Sequence, residues 1–119
     1  MEKKNSNSVD NSMAMYITGI LVANPYIPMS WGYNSPKALE NGLQFKVRGF
    51  KFNGFVQVIY DEITDLFIVK FLEDTKDMEL VYEFIDVYLD QLISIIDKFV
   101  EVTENYEKDL GKWLKTFED

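Results

Sequence analysis

Apolar and polar positions along this 119-residue chain follow two periods in turn, first that of strands and then that of a helix. Between Leu43 and Leu72 the apolar residues recur at every second position, the period of a strand with one face on a core. Leu43, Phe45 and Val47 share one face of a first strand, with Gln44, Lys46, Arg48 and Phe50 on the other. Phe55 to Tyr60 is apolar on both faces apart from Gln57, and Leu66, Ile68, Lys70 and Leu72 oppose Phe67, Val69 and Phe71. Asn53-Gly54 accepts the positive φ of a two-residue hairpin turn, and Asp61 to Asp65 forms a second turn. The pattern predicts a three-stranded antiparallel meander, with Met78 to Phe84 either a fourth strand or the start of a final helix. A sheet so apolar on both sides needs cover on both, or exposes a sticky patch.

From about Asp86 the period lengthens to that of a helix. At 100° per residue Tyr88, Leu92, Ile95, Ile96, Phe99, Val102 and Tyr106 fall on one face, widened by Leu89, Ile93 and Val100. Asp86, Asp90, Asp97, Glu101 and Glu104 gather on the opposite side, joined by Glu83 if the helix starts early. This predicts a long amphipathic helix packed on the sheet with an acidic outer stripe, continued by a helical tail over Asn105 to Phe117.

The first twelve residues are polar and low in complexity, too poor in apolar side chains to offset the entropy of ordering, and are expected to form a flexible tail. Met13 to Ala23 is an apolar run too short for a membrane span. It is expected as a helix from about Asn11, capped by Asp10 or Ser12 and stopped by Asn24-Pro25, with its β-branched residues and Gly19 leaving a strand as the rival. Lys3 and Lys4 ahead of this run suggest a signal peptide, whereas Asp10 and the bulk of Leu21 argue against one. Asn24 to Ser35, with two prolines and three aromatics, is expected to be an irregular loop. Ser35-Pro36 then reads as the start of a short helix ended by Gly42.

Composition narrows the chemistry. With no Cys and no His the chain has no disulfide, thiolate nucleophile, imidazole base or Cys/His zinc site. Its formal charge of -8 opposes binding to a phosphate backbone. That charge is uneven: residues 1–60 hold six basic against three acidic residues, a net of +3, and residues 61–119 hold six against seventeen, a net of -11. The glycines form no phosphate-binding loop. Asp61, Glu62 and Asp65, with Asp74 and Asp77, supply oxygen ligands of the type that hold calcium or magnesium, but at no EF-hand spacing.

Two groups remain as candidate binding residues. Tyr26, Trp31 and Tyr33 lie on the proline-bearing loop, where aromatics serve as interface anchors, although Trp31 also suits a core plug. Carboxylates set at helical pitch, as Asp86, Asp90, Asp97, Glu101 and Glu104 are, can present charges about 6 Å apart, close to the spacing of phosphates along one nucleic-acid strand. The chain is thus expected to be an α+β domain over residues 13–119 behind a tail of residues 1–12. It is expected to comprise an N-terminal helix, a three- to four-stranded meander and a long C-terminal helix on the sheet. Its expected function is that of a small, acidic, cytoplasmic interaction protein without catalysis, cofactor or metal. In its most concrete form it is a phage- or mobile-element-type inhibitor, a nucleic-acid mimic on the basic surface of a host nuclease or guide-RNA effector. Direct binding of nucleic acid or membrane is not expected. One alternative is a homo-oligomeric assembly subunit joined through the apolar sheet face and the Leu89-Ile93-Ile96-Val100 stripe. Another is a small-molecule-binding module around Trp31.

Overall fold

The computed structural model describes residues 11–101. Helix α1 spans Ser12–Leu21 and buries Ala14, Ile17 and Leu21, the i, i+3 and i+7 positions of one face. Thr18 turns its hydroxyl back onto the Ala14 carbonyl at 2.7 Å, which lets a β-branched polar residue sit inside the helix. Asn11 is the N-cap, and no side-chain hydrogen bond closes this end. The expected loop contains a second helix, α2, Tyr26–Ser30. Both prolines fall where a helix needs no amide donor: Pro25 is the N-cap and Pro28 lies in the first turn.

Five strands follow: β1 Asn34–Leu39, β2 Gly42–Arg48, β3 Asn53–Asp61, β4 Leu66–Glu73 and β5 Leu80–Val87. They form one antiparallel sheet in chain order. A 3₁₀ turn, Leu89–Gln91, leads into α3, Leu92–Val100. The α+β class stands, with five strands where the sequence pattern suggests three or four. The short helix expected at Ser35-Pro36 is instead β1, an edge strand in which Ser35 takes φ 55°. Proline tolerates an edge, since its missing donor withdraws no bond from a second neighbour. Pairing with β2 outweighs a helical preference spread over a mere six residues.

The hairpin between β2 and β3 also differs from expectation. Arg48 pairs with Asn53, so Asn53 and Gly54 lie in β3 and residues 49–52 make the turn. Tertiary bonds hold that turn: the Lys51 amide donates to Val100 O at 2.9 Å and the Phe50 amide to Glu101 Oε1 at 3.2 Å. The glycines here answer to crowding: a Cβ on Gly49 would stand 2.2 Å from Val100 O, and one on Gly54 2.4 Å from Leu72 O.

The core lies on one face of the sheet. Leu43, Phe45, Val47, Val56, Val58, Phe67, Val69 and Phe71 meet α1, Trp31, Leu92, Ile96 and Val100 there. Trp31 is fully buried, stacks near-parallel on Phe45 and donates its indole N–H to Asp97 Oδ1 at 2.8 Å. Phe99 stacks on Phe71 with ring centroids 3.9 Å apart, and Phe52 meets both edge-on. The opposite face carries no helix among the described residues. No described helix is long and apolar enough to cross a membrane.

Candidate interaction surface

The expected acidic stripe does not form a row on one helix. The helical period begins later than Asp86, because strand β5 runs on to Val87 and α3 occupies nine residues. Asp86 sits on β5 at φ 55°, at a bulge where β5 carries an extra residue against β4. Asp90 lies in the 3₁₀ turn, exposed. Asp97 is half-buried and accepts the Trp31 indole, and Glu101, 8% exposed, holds the β2–β3 turn. The last two carboxylates therefore serve the fold, which removes the regular charge spacing expected of a nucleic-acid mimic. Glu104 and the tail expected over Asn105 to Phe117 lie outside the described residues.

The aromatic loop is likewise dispersed. Trp31 is the core plug, a correction to its place among the binding residues. Tyr33 packs half-buried on Phe45, with centroids 4.7 Å apart. Burial pushes its phenol above the usual value, partly offset by a hydrogen bond with Thr18. Tyr26 alone is freely exposed. The Leu89-Ile93-Ile96-Val100 stripe is also divided: Ile96 and Val100 are consumed by the core, while Leu89 stays exposed.

A different grouping emerges at the end of the sheet where β1 turns into β2, β3 turns into β4, and β5 leaves. These turns and exits carry Glu40, Asp61, Glu62, Asp65, Asp86 and Asp90, with no lysine or arginine. Beside them runs a groove of about 410 Å³ lined by Met13, Tyr16, Tyr60, Asp65, Leu66, Phe67, Tyr88 and Leu89. Tyr16 and Tyr88 are about half exposed and Leu89 nearly so. The Tyr60 hydroxyl donates to Asp65 Oδ1, a bond that holds the phenol above its usual pKa with help from the neighbouring carboxylates. The Tyr88 amide donates to Gln91 Oε1 at 3.0 Å, bracing the turn that presents Tyr88 and Leu89. The turn carboxylates are engaged locally: Asp61 Oδ1 accepts from the Ile63 amide and Glu62 Oε2 from Asn41 Nδ2. Among the described residues no three acids come together as a metal site.

Of the predicted site residues, Asp86 and Asp90 flank the groove residues Tyr88 and Leu89 along the chain. Tyr16, Tyr60 and Tyr88 were missed, because their three elements meet only through the sheet. A broader cleft of about 880 Å³ opens at the other end, between Gly32–Asn34, Lys46–Arg48, Asn53 and Asp74. Its Lys46 and Asp74 pair at 3.1 Å and largely cancel each other's field. No family model, curated protein or solved structure matches this chain.

Proposed function

We propose that this protein is a non-catalytic interaction module whose acidic sheet end, with its tyrosine-lined groove, grips a basic partner protein. One observation carries the reading: three tyrosines and Asp65 converge on one groove at the end of the sheet whose turns and exits carry six acids and no lysine or arginine. Tyrosine supplies a large rigid contact at low entropic cost and is enriched at interface hot spots. A lysine or arginine laid over a tyrosine ring gains about 0.5–2 kcal/mol, depending on how far it is desolvated. The surrounding carboxylates would add long-range steering, raising the association rate more than the final affinity. Surfaces rich in lysine and arginine are typical of proteins that handle nucleic acid, so inhibition of a host nuclease or guide-RNA effector remains the most specific form of this proposal.

The test is native gel shift and calorimetry against a panel of purified basic nucleases and guide-RNA effectors. A complex that weakens as salt rises is expected, and Tyr88→Ala combined with Asp65→Asn should weaken it about tenfold or more, in keeping with loss of a hot-spot anchor. A panel without any salt-sensitive complex overturns the reading.

A further inference from the structure

Five residues, one from each strand, form a polar row across the face of the sheet opposite the core, which carries no helix among the described residues. Lys37 pairs with Gln44, Gln44 with Gln57, Gln57 with Lys70 and Lys70 with Glu83, so all five point to the side away from the core. Gln57 Nε2 donates to Gln44 Oε1 at 2.9 Å within the row. One flanking row is apolar: Leu39, Ile59 and Ile68, with Gly42 leaving a gap between the first two. In the other, Phe55, Leu72 and Leu80 continue from Lys46, whose ammonium lies over the Phe55 ring and pairs with Asp74.

We propose that this face pairs with a second copy of the chain, sheet on sheet, about a two-fold axis running along β3. Such an axis reverses the strand order while keeping each row above its own copy. Lys37 then faces the partner's Glu83, Gln44 faces the partner's Lys70, and Gln57 faces its own copy. In the apolar row, the gap at Gly42 receives the partner's Ile68. The alternative axis, running across the strands, would set Lys37 on its own copy and Glu83 on its own copy, so the charge pattern selects one arrangement over the other. An interface of this kind is isologous and closes at two copies.

The geometry tolerates sheet twist. Aligned sheets pack about 10 Å apart with strands rotated by about 30°. At the ends of the row, two strand spacings or roughly 10 Å from the axis, that rotation displaces the facing residues by about 5 Å, within reach of lysine and glutamate side chains. Five strands of this length present a face of roughly 20 by 25 Å, comparable in scale to the ~800 Å² that each partner contributes to a standard interface. The opposite edge arrangement, strand pairing through β1, is blocked by Pro36 and by the break in register between Asn34 and Lys37. The interface leaves the tyrosine groove open, and the proposal does not depend on the function assigned to that groove.

Sedimentation equilibrium of the full chain tests it. The expected result is a dimer at micromolar concentrations. Lys37→Glu and Glu83→Lys should each raise the dimer dissociation constant about tenfold, as loss of a close charge pair does. The double swap Lys37→Glu with Glu83→Lys should restore it, because the pair is rebuilt with its signs exchanged. Circular dichroism of the three variants separates loss of pairing from loss of fold, and these exposed positions leave the fold intact. A monomer at about 100 μM, or a dimer indifferent to both single changes, overturns the proposal.

Discussion

At the scale of single residues, the most informative side chains carry two properties at once. Trp31 contributes area to the core and a donor to Asp97, so the half-buried carboxylate depends on an indole 66 positions away. Trp31→Phe keeps most of the ring and removes the donor. It should cost about 1–3 kcal/mol in urea unfolding, the penalty for a carboxylate stripped of its partner. Tyr60 offers a second test. Its phenol is held above the usual value of 10.0 first by the hydrogen bond to Asp65, then by desolvation and the nearby carboxylates. A raised folded pKa means that the contribution is fully present below about pH 10 and is lost as pH rises through the folded value. Ultraviolet titration should therefore show Tyr60 ionising late. Asp65→Asn should bring it back toward 10.0, since asparagine accepts the bond without the charge.

At the scale of elements, strand alternation was legible and boundaries were less so. The core face of β2 and β4 follows directly from Leu43, Phe45, Val47 and Phe67, Val69, Phe71, because burial imposes a period of two whatever the turns do. Asn-Gly is a local signal and points to a turn at Asn53-Gly54, whereas the observed turn is held by Val100 and Glu101 from the far end of the described chain. Asp86 and Tyr88 fit a helical wheel, which starts α3 too early. The pairing of Val87 with Phe67 on β4 keeps the chain in the sheet up to that point, and a wheel contains no information about it. The groove was invisible for the same reason: Tyr16, Tyr60 and Tyr88 come from α1, β3 and the β5 exit. The two glycine environments make this distinction measurable. Gly54→Ala, with a Cβ 2.4 Å from Leu72 O, should destabilise by about 1–3 kcal/mol as overpacking does. Gly19→Ala, on an exposed helix position with nothing within 4 Å, should instead stabilise by about 0.5–1 kcal/mol.

At the scale of the molecule, the negative charge of the second half divides by role, and this division can be tested against binding and stability together. Asp97 and Glu101 are bonded into the core and the β2–β3 turn, while Asp86 and Asp90 stand exposed beside the groove. Asparagine is the substitution of choice at Asp86, whose φ of 55° suits it better than other residues. The pair Asp86→Asn with Asp90→Asn should leave unfolding within about 0.5 kcal/mol of the parent, as surface changes do, and should slow association with a basic partner while flattening its salt dependence. Asp97→Lys should behave in the opposite way, costing several kcal/mol, of the order of 3–5, because a cation would meet the indole donor in a half-buried site. Urea unfolding and stopped-flow association, run on the same two variants, read the two roles separately. If the exposed pair proved as destabilising as Asp97→Lys, or left association unchanged, the acids at this end would be no more than a solvated rim around the tyrosine groove.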